Sequence, residues 1–416
     1  MHPLAPTLIA EVTRNPYPFY ASLREAGPVQ FVESLMRGCY VLTRHEDITS
    51  VFKNPLLFSS RLSAPGVMMP REFGEEVLRH FQSDNNLLTS APPLHTRLRT
   101  LVSRAFTPRR VAELEPRIRE LSGGLLDTLL AREEFDLIPE LAAPLPVIVI
   151  AEMLGVEPER RLDFKRWSDD VLLAITLPGT GAGAELVRLR ESLLEFHTYL
   201  ETIVDRRRRE PCHDLISALI EASEAEGGFL STLDIMAFTR LLLVAGNETT
   251  TNLIGNGMVA LLRHPSEWER LAADPSLIPK AVEEILRYDS PAQAVIRVAT
   301  EDTEIAGQAI PKGARVMLLL GASNRDPRRF PEPDRFDVTR ETQGHVSFGH
   351  GVHFCLGAPL ARLEAKVVFE ELFRRVRRVS FAPDQEETIP WKQAFLVRGP
   401  KSLRLKAERH QPARAA

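Results

Sequence analysis

Cys355 stands among three glycines in the segment Phe348-Gly349-His350-Gly351-Val352-His353-Phe354-Cys355-Leu356-Gly357. Glycine permits tight backbone turns and the close approach of a flat ligand. Backbone N–H groups turned toward the sulfur, with the positive end of a helix that Pro359 is suited to begin, favour a thiolate over a thiol. A thiolate so placed can ligate a metal. Taken as local chemistry, the same residues also suit a buried free cysteine in a Gly-rich turn. A zinc site drawing on His345, His350 or His353 is a third reading, although paired ligand spacings are missing. The residues themselves leave all three open.

A second constellation is Ala245-Gly246-Asn247-Glu248-Thr249-Thr250-Thr251. Glycine and three β-branched threonines are poor helix material. The Thr249 hydroxyl is spaced to bond the carbonyl of Ala245 one turn back and bend a helix there. That opens a polar notch in a wall made by Leu241, Leu242, Leu243 and Val244. An acid beside an alcohol, Glu248 with Thr249, can relay protons, whereas a kink without a role is the plainer alternative. His95 and Arg99 are four apart at one edge of the apolar face of Pro93–Phe106, with Arg97 and Arg104 near the other edge. Cations at such a border suit a carboxylate pair or simply snorkel. In Ala281–Arg287, either Glu283 or Glu284 is spaced to meet Arg287. The helical wheel sets all three largely opposite Val282, Ile285 and Leu286, which by itself predicts a solvated pair worth roughly 0.3–0.5 kcal/mol.

The elements that must position these groups are mostly helical. Ser231-x-x-Asp234 is a capping-box pattern that opens a helix running to Arg263. Further helices are expected over Pro108–Leu130, Arg188–Arg209, Pro279–Tyr288 and Ala358–Arg377. Strands are expected at Val29–Glu33, Tyr40–Thr43, Val295–Thr300, Thr303–Ala306, Arg315–Leu320 and Ser402–Leu405. Helices with small sheets imply a mainly α, α+β fold. No repeat or linker divides the 416 residues, so residues 1–416 are expected as a single domain.

With 52 basic against 56 acidic residues, the balance gives no global argument for nucleic acid or a membrane surface. The most hydrophobic stretch, Leu141 to Leu154, is broken by Pro144 and Pro146 and is too short to span a bilayer of ~30 Å. Three dispersed cysteines and the lack of a secretory pattern imply a soluble, cytoplasmic setting. Gly179-x-Gly181-x-x-Ala184 imitates a dinucleotide fingerprint without its strand–helix context, and reads as a loop.

The cysteine segment resembles the ligand loop of the cytochrome P-450 family, Phe-x-x-Gly-x-x-x-Cys-x-Gly, with Phe348, Gly351, Cys355 and Gly357 each in place. Ala245 to Thr249 is similar to the family's Ala-Gly-x-(Asp/Glu)-Thr motif. Glu284-x-x-Arg287 is similar to its Glu-x-x-Arg, which in the family is buried, with Arg335 in Phe330–Phe336 as the matching third arginine.

The resemblance implies a triangular fold with a long central helix, and haem b (iron protoporphyrin IX) whose iron takes Cys355 as axial ligand. It also implies propionate contacts from His95, Arg99, Arg297 and His353, and haem contacts around Ala245, Gly246, Phe348, Gly349 and Gly357. Glu248 and Thr249 would handle protons and oxygen. The implied activity is a monooxygenase taking O2 and a hydrophobic small molecule. Its electrons would come from a separate ferredoxin or flavodoxin with an NAD(P)H-dependent reductase, and the protein would be monomeric.

Substrate contacts are implied around Ser63–Leu88, Leu172–Leu177, Gln293–Ile296 and Phe395-Leu396. Arg104, Arg109, Arg110 and Arg362 are candidates for docking an acidic electron carrier. A peroxide-driven hydroxylase on the same fold and a non-catalytic haem sensor are the alternatives. Neither needs the proton pair Glu248-Thr249.

Overall fold

The hydrophobic period predicts where helices begin and end, and the chain's prolines and caps decide the details. The computed structural model describes residues 11–410 other than 34, 37, 62–70, 82–84, 177–182 and 393–394. The Gly179–Gly181 segment, and residues 63–70 and 82–84 of the Ser63–Leu88 loop, therefore lie outside the described residues.

Two compact units are present. One comprises residues 1–58, 112–145 and 249–416, and the other residues 59–111 and 146–248. The helix Thr232–Arg263, 32 residues long, belongs to both. It starts as its sequence dictates: Ser231 N–H donates to the Asp234 carboxylate at 2.9 Å, and Asp234 N–H donates to Ser231 Oγ at 3.2 Å. Residues 251–260 are buried on every side. A helix buried all round carries no polar stripe, which is why this one shows no heptad or amphipathic signature.

The strands, in chain order, are β1 (Val29–Val32), β2 (Cys39–Leu42), β3 (Phe58–Ser59), β4 (Glu134–Asp136), β5 (Ala294–Ala299), β6 (Thr303–Ile305), β7 (Gln308–Ile310), β8 (Arg315–Leu319), β9 (Val376–Phe381) and β10 (Arg404–Arg409). They form a five-stranded sheet ordered β1-β2-β8-β5-β3, a three-stranded sheet ordered β4-β10-β9, and the hairpin β6-β7. β1 and β2 pair antiparallel, Val29 opposite Leu42, and β2 runs parallel to β8. A core of Leu42, Val51, Phe52, Val316, Leu318 and Val346 joins the larger sheet to the helix His45–Lys53 and to the start of the cysteine loop.

Several expected boundaries move, among them the helix expected from Arg188, which begins at Ala184. Pro108–Leu130 is two helices, Pro108–Ala112 and Glu115–Leu129, because Pro116 cannot donate to residue 112 and fits only a first turn. The helix from Ala358 stops at Arg375, where the alternating Val376–Phe381 becomes β9. The last strand begins at Arg404 rather than Ser402, since Leu403 N–H is held by the Asp136 carboxylate at 2.8 Å. No described helix is long and apolar enough to cross a membrane.

Candidate active site

The cysteine loop is shaped by its own backbone. Gly349 and Gly351 both take φ of +71°, a left-handed conformation that side chains resist. At Gly351 any Cβ would also lie 2.8 Å from the carbonyl oxygen of Phe52, so only glycine fits. Cys355 N–H donates to the Phe348 carbonyl at 2.9 Å, closing the loop. Gly357 then caps the helix Ala358–Arg375, with Pro359 in its first turn. This sets Cys355 two residues before a helix N-terminus, where a negative sulfur is favoured. No group of three or more His, Cys, Asp or Glu side chains suited to a metal ion occurs among the described residues, which removes the zinc reading. His345 is spent on Glu283, at 3.0 Å.

Support for the loop comes from the helix Ile278–Tyr288. Arg287 and Glu284 are both fully buried and pair in a fork, Nε to Oε2 at 2.7 Å and Nη2 to Oε1 at 2.9 Å. The solvated pair suggested by the helical wheel is thus overturned, because the chain folds back over that face. Arg287 Nη1 donates to the carbonyl of Asn324 at 3.0 Å. Asn324 in turn receives Val346 N–H at 2.8 Å and donates to Ser347 Oγ at 2.8 Å, immediately before Phe348. The third arginine is Arg340, not Arg335. Arg340 Nε reaches Glu284 Oε1 at 3.3 Å, whereas the Arg335 side chain is 55% exposed and pairs with Glu332 and Asp337. Arg335 contributes only its carbonyl, which accepts from Arg287 Nη2 at 3.2 Å.

Glu283, one residue earlier, ties the far side of the loop. It takes two bonds from Arg362, at 2.6 and 2.9 Å, and one from His345. Burial pushes its carboxyl up, but these bonds outweigh burial and hold it at about 2. The Arg362 guanidinium lies 4.5 Å from the centre of the Phe348 ring.

On the long helix, Ala245 is exposed and Leu241, Leu242, Val244, Gly246, Glu248 and Thr249 are partly so. Leu241, Ala245 and Thr249 recur every four residues, marking one open face just before the fully buried stretch. Gly246 packs against Ile150, whose Cδ1 would lie 2.6 Å from an added Cβ. Thr251 donates to the Ala142 carbonyl at 3.0 Å.

A family model for cytochrome P-450 matches residues 186–407. Vitamin D(3) 25-hydroxylase of Pseudonocardia autotrophica is 42% identical over 396 residues, 93% of this chain and 92% of that protein. The chain belongs to the cytochrome P-450 family. A second P-450 relative, 6-deoxyerythronolide B hydroxylase of Saccharopolyspora erythraea, is 40% identical over 92% of this chain and 94% of its own length. The structure of cytochrome P-450 CYP109Q5 from Chondromyces apiculatus superposes with a TM-score of 0.84 at 42% identity, covering 97% of each chain. As a P-450, the protein is an oxidoreductase of the monooxygenase type, and the family's cofactor is haem held by a thiolate.

The P-450 residues present fit such a group. Arg297, on β5, is 8% exposed, and among the described residues it bonds only its neighbour's carbonyl, Ile296 O, at 2.8 Å. Among the described residues no carboxylate meets it, and burial alone pulls its pKa down to about 10. A buried cation of this kind calls for an anion. Its guanidinium lies 5.3 Å from the centre of the Phe52 ring, and Phe52 also borders Gly349 and Gly351. Arg297 and the cysteine loop are therefore gathered around one residue. His353 closes the short turn Gly351–His353 in that same loop.

In the other unit, His95 and Arg99 share the helix Leu94–Ala105. His95 is 1% exposed, deeper than the edge position its spacing implied, and Arg99 is half-buried. Arg97 stacks on Phe229 and Arg104 pairs with Glu226 at 3.0 Å.

Two expectations change. Gln293 does not offer its side chain to a pocket: its Oε1 accepts from Tyr20 and its Nε2 donates to the Ser290 carbonyl. Arg104 and Arg362 already hold acids of this chain, which weakens both as docking cations. Phe395 and Leu396 are 42% and 45% exposed. Leu172 lies in the helix Arg161–Thr176, and Leu177 falls outside the described residues.

Sequence reasoning missed Arg340, Asn324 and Glu364. Only Glu364 left a readable sign, an acid four residues from both Leu360 and Val368 on an apolar helix face.

Proposed function

We propose that this P-450, with residues 1–416 acting as one domain, inserts one atom of O2 into a hydrophobic small molecule. Its electrons are supplied by a separate ferredoxin or flavodoxin and its NAD(P)H-dependent reductase. The observation that carries the reading is Cys355, presented by a loop that only glycine can form and placed at a helix N-terminus. When bound, haem b supplies oxygen activation, promoted by electron donation from the thiolate.

The remaining roles belong to the chain. Arg297 and His353, with His95 and Arg99, hold the two propionates. Gly349 and Gly357 let the backbone come close to the porphyrin beside Phe348, and Ala245 and Gly246 leave room on the long helix. Glu248 brings a proton to the Thr249 hydroxyl, and Thr249 holds it toward the site where oxygen reacts. The open face with Leu241, Leu242 and Ala245 is apolar, in keeping with relatives whose names concern vitamin D(3) and 6-deoxyerythronolide B.

Thr249→Ala is expected to leave substrate binding within about twofold while product per NAD(P)H falls roughly tenfold, electrons being lost to hydrogen peroxide, since a positioned proton donor contributes about 100-fold or more. Product and peroxide are measured together with a substrate found by spectral screening of hydrophobic compounds. Unchanged product per NAD(P)H removes Thr249 from the relay.

Arg297→Met gives paired changes of opposite sign. Losing one charge-assisted bond worth about 1.5–3 kcal/mol weakens haem retention by roughly tenfold or more. The haem-free protein becomes more stable, because an uncompensated buried charge has gone. Haem transfer to apomyoglobin and urea melts of the apo form check the two halves.

A further inference from the structure

Arg240, on the long helix, is a buried cation that meets no acid among the described residues. It is 5% exposed, its Nη2 donates to the His80 carbonyl at 3.0 Å, and its guanidinium lies 4.6 Å from the centre of the Phe81 ring. Its Nη1 has no hydrogen-bond partner among the described residues. The His80 ring in turn stacks on that of His197, with centres 3.9 Å apart. His197, on the helix Ala184–Arg209, is 8% exposed, and its Nδ1 is likewise idle among the described residues. Burial, with His80 and Arg240 close by, pulls the His197 imidazole down to about 4, and burial alone pulls the Arg240 guanidinium down to about 10. All three residues belong to the same compact unit.

The acids of the surrounding helices are engaged elsewhere. Glu76 of the helix Gly74–Phe81 pairs with Arg190 at 2.8 Å, Asp170 with Arg188 at 2.9 Å, and Glu195 with Arg166 at 2.7 Å. Asp234 accepts from Asn85 at 3.0 Å. A methionine at position 240 would fill the space without stranding a charge, so a purely structural role is a costly one. An anion would satisfy both idle nitrogens. Arg240 brings one positive charge and His197 is neutral at pH 7, which suits a singly charged carboxylate better than a phosphate dianion.

The surroundings say what carries that carboxylate. Phe81 gives the cation an apolar border. Arg240, Val244 and Glu248 recur every four residues, one stripe beside Leu241, Ala245 and Thr249. Val244 and Glu248 are partly exposed, so the stripe leads from the buried cation toward the open face. Eight residues of helix separate Arg240 from Glu248, about 12 Å.

We propose that Arg240, with His197 and His80, forms a subsite for the carboxylate of an apolar, chain-like substrate, which it holds about 12 Å from the Glu248–Thr249 pair. This rests on the reading of the protein as an oxygenase of hydrophobic molecules. An extended chain covers 12 Å in roughly ten bonds, so a twelve-carbon acid is oxidised near its far end.

The test titrates haem-loaded protein with dodecanoate and with dodecan-1-ol, following the haem spectrum. Wild type is expected to bind the acid roughly tenfold or more tighter than the alcohol, the worth of a charge-assisted bond. Arg240→Met removes that preference and leaves the alcohol within about twofold, whereas Arg240→Lys keeps part of it. His197→Phe, which preserves the ring stack, weakens acid binding by a few-fold only, since it removes a neutral partner. Urea melts give a reading that needs no turnover: dodecanoate raises the midpoint of wild type and not that of Arg240→Met.

With redox partners supplied, wild type oxidises dodecanoate within its last few carbons, and Arg240→Met scatters the position. Equal binding of acid and alcohol by wild type overturns the proposal, as does an Arg240→Met protein that loses both alike. Inorganic phosphate raising the midpoint as much as dodecanoate does would reduce the site to one for small anions and also overturns it. If dodecanoate binds through Arg240 yet no oxygenated product forms, the oxygenase reading has failed and the carboxylate subsite stands.

Discussion

Cys355→Ser is expected to abolish monooxygenase product and to remove the red-shifted thiolate band of the reduced carbon monoxide complex, while some porphyrin is still taken up. Charge on the ligand atom decides the outcome. A cysteine with pKa near 8.5 becomes a thiolate under the combined pull of backbone N–H groups and a helix N-terminus. A serine hydroxyl in the same place stays protonated and lends the metal little electron density. Retention of some haem follows because Arg297 and the left-handed turns at Gly349 and Gly351 are untouched. Each preparation is assayed for haem per chain before its spectrum is taken. The other two cysteines serve as controls. Cys39 is fully buried and burial pushes its thiol up to about 11, and Cys212 is exposed in the connection between two helices. Cys39→Ser and Cys212→Ser should keep the band. If the band survives in Cys355→Ser, the ligand lies elsewhere.

The cysteine loop was legible in sequence because its chemistry is local. Glycines fix the backbone, and a helix begins at once, so ten consecutive residues contain the whole device. The long helix was legible for a similar reason, its Ser231–Asp234 cap standing where the pattern put it. Periodicity failed where burial came from distant segments. Glu284 and Arg287 lie on what an isolated helix would expose, and only the return of residues 324–340 covers them. The same return explains the exchange of Arg335 for Arg340. Within Phe330–Arg340 several arginines have similar reach, and the turn at Asp337, whose N–H donates to Glu284 at 3.0 Å, points residue 340 inward and residue 335 out. The short strands β3, β4 and β7 left too few residues for an alternating signal.

Glu364 shows the opposite case. Its position among apolar residues was visible, yet a pattern reader takes an acid as a mark of solvent. Its meaning needed the second helix, since only Thr250 across the gap shows that the carboxyl is buried and bonded rather than exposed.

Arg287→Met is expected to lower stability by about 3–5 kcal/mol, the cost of leaving one partner of a buried pair uncompensated. All five guanidinium N–H groups are used: two on Glu284, and three on the carbonyls of Asn324, Pro333 and Arg335. Methionine fills much of the volume but strands a carboxylate that is 0% exposed, together with three carbonyls. Asp337 N–H and Arg340 remain on Glu284, so the charge is not wholly abandoned, and the loss stays within that range. Arg287→Lys keeps the charge without the fork and should recover only part of it. Arg335→Ala removes an exposed side chain and should leave the urea midpoint where it is. The damage also travels. Arg287 holds Asn324, and Asn324 holds Val346 and Ser347 at the entrance to the cysteine loop. Arg287→Met protein should therefore lose haem faster than wild type even well below its unfolding midpoint, as haem transfer to apomyoglobin would measure. Equal haem loss in the two proteins would confine the pair to general stability and break its link to the cysteine loop.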